Sequence, residues 1–310
     1  MKHKIIILIA IAAAVCAAAA FAVRTIGAPT APPGTTMSRA GNFSIPAVRY
    51  GNAYSSPQPF MEGIYAADRR AAAKGTGTIH AVIAPHHLVA AEDDAVAVKA
   101  LAGQEVANVI LLSPDHYNKC PTALCTVNGD YETFFGHVRA APVVVKDLVA
   151  SPLVTNAPGL FDNEHGIYAV APFLAHYLPG VPVTPLAVRI DYWRANKEAM
   201  LALLQAEMKA GTVLVMSSDF SHYLPYGEAE KMDALTKEVI VAGDLDKMET
   251  LKNPSQSDCP ACLWLLGSLA KNNNFYHPDF LMHTNSAALL KDLTVKETTS
   301  HFAVIWREEK

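Results

Sequence analysis

The sequence predicts a three-layer α/β fold, a mainly parallel sheet with helices on both faces, and three observations carry that reading. Short runs rich in Val, Ile, Leu and Ala at residues 79–84, 106–112, 181–188 and 212–216 alternate with helical candidates. The chain is 51% hydrophobic and only 17% charged, enough to bury a large core. Three of the apolar runs end alike, each followed within a few residues by a His.

Taken in order, residues 1–23 come first. Lys2 and Lys4 precede a stretch, 5–23, without a charged residue, the layout of a signal peptide or of a membrane anchor spanning about 30 Å of hydrocarbon. Either implies export, to the periplasm or another extracytoplasmic space, with the membrane as a partner if the segment stays uncut. Residues 24–45 are Pro- and Gly-rich and read as a tether, leaving 46–310 as one α/β domain.

Within that domain, continuous apolarity over five to eight residues suits strands covered on both faces. Helices are expected at 91–101, 164–177, 195–209 and 228–241, the last two closed by Gly211 and Gly243, and a further one over 263–269. Late strands at 280–283 and 302–306 complete the sheet, with an antiparallel pairing open to them. Basic residues form no stripe and the net charge is −4, so nucleic acid is excluded as a partner. Five Cys in a chain this long make no disulfide scaffold, and any bridge is a local staple.

The chemistry gathers where strands end. Pro85-His86-His87, Ser113-Pro114-Asp115-His116 and Ser217-Ser218-Asp219-Phe220-Ser221-His222-Tyr223 each leave an apolar run and deliver an imidazole into the following loop. Ligands of open α/β sheets bind outside the carboxyl ends of the strands, so these groups are placed to converge. A fourth contributor is Asp258-Cys259-Pro260-Ala261-Cys262, where Cys259 at a helix N-terminus suits metal ligation or redox work. Disulfides Cys120–Cys125 and Cys259–Cys262 are equally compatible with an oxidising compartment.

These motifs, with Glu164-His165, resemble in type and order those of Memo-like proteins, called AmmeMemoRadiSam system protein B in prokaryotes, over about residues 45–308. Ser217-Ser218-Asp219-Phe220-Ser221-His222 is the most specific block. The family is similar in fold to the class III extradiol dioxygenases, which hold iron by two His and a carboxylate; Memo-like proteins put a Cys at the carboxylate position. The resemblance implies His86, His116 and Cys259 as ligands of one metal ion, and His222 as pocket base or proton donor with Asp219 close by. A thiolate moves the preference toward iron or copper, with zinc still open. The chain departs from the family pattern at His87-Leu88-Val89, Gly166-Ile167-Tyr168 and Pro260-Ala261, all of which alter the pocket around the metal.

Around that core, Asp115 and Asp219 are typed either to accept the second ring N–H of an imidazole or to cap their loops. His87 is a neighbour, and an alternative, to His86. Glu164 and His165 belong either to the pocket wall or to a helix entry, and Tyr223 either lines the pocket or packs. The leading functional expectation is a metal-dependent oxidoreductase of dioxygenase-like type acting on an unidentified small molecule. A non-catalytic copper- or iron-binding protein and a zinc-dependent hydrolase are the alternatives.

Overall fold

The short apolar runs fold side by side into one nine-stranded sheet, seen in a computed structural model that describes residues 44–73 and 75–308. The expected signal or anchor at 1–23, and all of the 24–45 tether before residue 44, lie outside the described residues. Among the described residues no helix is long and apolar enough to cross a membrane.

Four strands form the centre: β2 (Ile79–Ala84), β3 (Asn108–Pro114), β8 (Val183–Val188) and β9 (Thr212–Ser217). They lie in the order β2-β9-β3-β8, all parallel. The flanks are largely antiparallel. On one side β12 (Thr298–Arg307) pairs with β2, β11 (Pro278–Asn285) and β10 (His222–Leu224). On the other, β4 (Leu124–Thr126) runs against β8 and carries β7 (Val154–Asn156) in parallel. A separate three-stranded sheet joins β1 (Val48–Tyr50), β5 (Gly129–Thr133) and β6 (Gly136–Val138).

Strand periodicity explains the three layers. Val109 and Leu111 of β3 enter one hydrophobic cluster and Ile110 and Leu112 the other; Val213 and Val215 divide from Leu214 and Met216 in the same way on β9. Alternate side chains point to opposite faces, so a strand with no polar face needs cover on both. The first face is covered by α1 (Gln58–Asp68) through Phe60 and Ile64, and by α2 (Ala91–Lys99) through Ala95 and Val98. On the second face lie Met200 and Leu204, from α7 (Trp193–Glu207). Burying each such Leu or Val is worth roughly 1.5–3 kcal/mol, which makes the apolar pattern the dominant instruction.

The helix expected over 164–177 is broken in two, α5 (His165–Tyr168) and α6 (Ala171–Tyr177), and α4 (Pro158–Phe161) precedes them. Pro172 sits in the first turn of α6, where its missing N–H and ring would have interrupted a continuous helix. α8 (Tyr226–Ala242) does end as expected, on Gly243 in the left-handed region at φ 60°. α3 (Pro142–Val149), α9 (Leu245–Thr250), α10 (Pro260–Asn272) and α11 (Ser286–Leu289) complete the chain.

Candidate metal centre

Because β2, β3 and β9 run parallel, their C-terminal ends open on one edge of the sheet, with Ala84 opposite Ser217 and Leu112 opposite Met216. His86 leaves β2 there, His116 leaves β3, and Asp219 leaves β9. A cavity of about 540 Å³ lies over this edge, and His86, His87, His116, His165, His222 and Asp258 are among its lining residues.

His86 Nε2 and His116 Nε2 stand 3.2 Å apart. Asp258 Oδ2 is 3.0 Å from the first and 3.7 Å from the second, and Asp219 Oδ2 is 3.5 Å from His86 Nε2. The opposite ring nitrogens decide what faces inward. Ser217 donates its hydroxyl to Gly166 O at 2.7 Å, so at 3.0 Å from His86 Nδ1 it accepts the ring N–H. His116 Nδ1 donates to Glu164 Oε1 at 2.5 Å, and Glu164 Oε2 takes the His116 backbone N–H at 3.2 Å. In their neutral form both rings therefore present Nε2 lone pairs to each other and to a carboxylate oxygen. Without a positive charge between them these groups repel; a cation satisfies all three.

The electrostatics agree. Burial drives the His116 imidazole down, but hydrogen bonds to Asp258 and Glu164 override it and lift the group to about 10. At His86 burial also opposes the charge, and Asp219 with Asp258 reverses the sign, raising it. Asp258, which burial alone would raise, is held well below the carboxylate range by the His86 charge and the His116 hydrogen bond. His165 goes the other way, to about 4, through burial and the His116 and His86 charges, although its ring lies only 3.8 Å from that of His116. The centre thus draws positive charge onto two nitrogens that a metal ion would take from protons.

The third ligand expected from sequence, Cys259, is not among these groups. Its sulfur is bonded to Cys262, and both residues are fully buried. Cys259 is the N-cap of α10, where its Sγ accepts the Cys262 N–H at 3.2 Å, so the side chain folds back onto the first helical turn. The preceding residue takes the place at the centre. Asp258 is oriented by Ser218 Oγ on Oδ1 at 2.6 Å and by the Asp219 N–H on Oδ2 at 3.2 Å.

The remaining sequence-predicted residues divide. Glu164 is buried and caps α5 while orienting His116. Two residues on, position 166 is Gly, where a Cβ would lie 2.1 Å from Ser113 Oγ. Asp219 binds the His86 backbone N–H through Oδ1 at 3.1 Å. Asp115 takes no imidazole proton; its Oδ2 accepts the Cys120 N–H at 2.7 Å and caps the loop that Cys120–Cys125 closes. His222 donates Nδ1 to Phe220 O at 2.5 Å, leaving Nε2 as an acceptor in the cavity wall. Tyr223 lines the rim with φ 57° and is mostly exposed. His87 turns away from His86, its Nδ1 3.2 Å from His301 Nε2.

Sequence reasoning missed Asp258, Ser217 and His301 as parts of this region. The first two stood inside quoted motifs, read for their neighbours; His301 lies on a late apolar strand with no local signal.

Comparison with known proteins adds the family context. The profile of the family described as "Memo-like protein" matches residues 49–289. A MEMO1 family protein of Caldivirga maquilingensis is 28% identical over 147 residues, 46% of this chain and 51% of that one. Another, from Pyrobaculum aerophilum, is 23% identical over 214 residues, covering 66% and 75%. A third, from Archaeoglobus fulgidus, is 25% identical over 156 residues, covering 48% and 58%. The matches thus span from about half to three quarters of the length of these curated relatives. The crystal structure of an uncharacterized protein from Escherichia coli K12 superposes with a TM-score of 0.51 at 16% identity, covering 73% of this chain and 99% of that one, a likeness of fold.

Proposed function

From the premise that the chain belongs to the Memo-like family, we propose that it is a metalloprotein holding one divalent transition-metal ion through His86, His116 and Asp258, and that it uses dioxygen as the oxidant of a small molecule bound in the cavity above them. The observation that carries this reading is the meeting of two Nε2 lone pairs and one carboxylate oxygen at separations of 3.0–3.7 Å. Two donors each bonded at about 2.0–2.1 Å to a tetrahedral ion stand roughly 3.3 Å apart, which matches.

With Asp258 in place of a thiolate, the soft character that favoured copper is gone. Two imidazoles and a carboxylate are the donor set of non-haem ferrous sites and also of hydrolytic zinc sites. Such an ion, when bound, supplies electrophilic activation of a ligated substrate oxygen. The chain's own residues do the rest. Glu164 and Ser217 keep both ligand rings in the metal-binding tautomer, and His222, with Nδ1 engaged, offers Nε2 to take or return a substrate proton. His165, held neutral, lines the cavity beside the ligands without adding charge.

A zinc hydrolase is the second reading, favoured by the same donor set with His222 as base. The test is reconstitution of chelator-stripped protein with ferrous iron or zinc, followed by dioxygen uptake with catechols and release assays with ester substrates. Oxygen uptake only with iron supports the oxidative reading; hydrolysis only with zinc replaces it, and no metal retained by the wild type defeats both.

A further inference from the structure

The same cavity borders a second set of convergent donors. We propose that His87, His301 and Asp219 hold a second divalent cation, so that the cavity houses a two-ion centre with Asp219 common to both halves. One ligand atom from each of the three lies within 4.8 Å of the others. His87 Nδ1 and His301 Nε2 are 3.2 Å apart, again close to the roughly 3.3 Å expected of two nitrogens on one tetrahedral ion. His87 and Asp219 line the cavity, which gives the ion an entry path, and His301 is fully buried behind His87.

Orientation of the donors repeats the logic of the first site. Thr284 donates its hydroxyl to Asp93 Oδ2 at 2.7 Å, so at 3.2 Å from His301 Nδ1 it accepts that ring N–H. His301 Nε2 is then a lone pair aimed at His87, held by a hydroxyl and a carboxylate behind it. Asp219 connects the halves: Oδ1 is anchored on the His86 N–H at 3.1 Å, and Oδ2 lies 3.5 Å from His86 Nε2. The same carboxylate groups both with His87 and His301 and with His86 and Asp258. Carboxylates shared in this way are the usual bridges of two-metal sites, where the paired ions sit about 3.5–4 Å apart and clamp one substrate oxygen each. Behind this side Asp94 is fully buried and neither of its oxygens has a hydrogen-bond partner among the described residues; burial, with the Asp219 charge, raises it well above the usual carboxylate range.

The second site stands on its own donors; only the bridging role of Asp219 rests on the single-ion reading above. The experiment is zinc stoichiometry. Chelator-stripped protein is loaded with Zn²⁺ alone, freed of excess and counted by elemental analysis, for the wild type, His116→Ala, His87→Ala and His301→Gln, with circular dichroism to verify folding. Two ions per wild-type chain, falling to one in His87→Ala and His301→Gln and to one in His116→Ala, is the expected pattern. His87 is a half-buried loop residue, so its variant keeps the test valid if the buried His301→Gln does not fold. One ion in the wild type, retained in His87→Ala and absent from His116→Ala, overturns the second site and leaves the first standing. One ion that survives His116→Ala and disappears in His87→Ala upholds the second site and removes the first; none in any variant removes both.

Discussion

The two sides of the cavity hold their histidines by related means with different results. On one side, His86 and His116 each commit Nδ1 to an acceptor outside the cavity, and their Nε2 atoms meet each other and the Asp258 carboxylate. On the other, His301 is anchored in the same way through Thr284, but its Nε2 faces the Nδ1 of His87, which is free to donate to it. The first pair meets beside the Asp258 carboxylate, which draws positive charge onto it; the second shares a single ring proton until a cation displaces it. The difference teaches that the outward hydrogen bond of a histidine, more than its presence in a motif, determines whether it demands a positive charge.

The strongest way to break this contrast is to delete a ligand from the Asp258 side. His116→Ala is expected to lower affinity for the His86–Asp258 ion by more than about 100-fold while the protein stays folded, since the imidazole sits at a loop and adds little to the core. Calorimetric titration with the metal checks it; unchanged affinity contradicts it. The neighbours Asp258 and Cys259 sharpen the point. Asp258→Ala should remove the ion along with one carboxylate, whereas Cys259→Ser should leave metal content unaltered and instead cost roughly 2 kcal/mol in urea unfolding through loss of a short staple. Metal lost in the serine variant would restore the sulfur as a ligand.

A smaller effect is expected one step back. Glu164→Gln keeps the cap of α5 but weakens the orientation of His116, and affinity should fall about 10- to 100-fold, with the fold intact. A change that leaves the metal ligands in place lies behind the His301 side. Asp93 is pushed by burial from 3.8 up to about 7, against a Thr284 hydrogen bond that lowers it. Between those values the folded protein keeps a proton that the unfolded chain has released, so stability declines as pH rises through that window. Asp93→Asn removes the decline. Metal-free wild type should lose up to about 4 kcal/mol relative to this variant between pH 4 and pH 8 in paired urea titrations; parallel curves for the two proteins would contradict the burial argument.

Much of the fold was readable because strands buried on both faces declare themselves by continuous apolarity, as 79–84 and 212–216 do. The pieces that were not read are short: β4, β6 and β7 have three residues each, too few for any period to register. The split at Pro172 was visible in the residue itself and outweighed by the apolar run around it. At the site, strand ends announced His86 and His116, since parallel topology carries them to one edge. Asp258 and Cys259 shared a motif, and composition alone does not say which of two adjacent side chains turns outward; a helix cap and two hydrogen bonds from the end of β9 make that choice. His301 was silent because its partner His87 is more than two hundred residues away in sequence.

The most direct measurement of the central claim is anomalous scattering from a crystal of the protein loaded with zinc or ferrous iron. A peak within bonding distance of His86 Nε2, His116 Nε2 and an Asp258 carboxylate oxygen is the predicted result. A metal-loaded crystal whose peak is bound by the Cys259 sulfur, or lies away from both imidazoles, would contradict it.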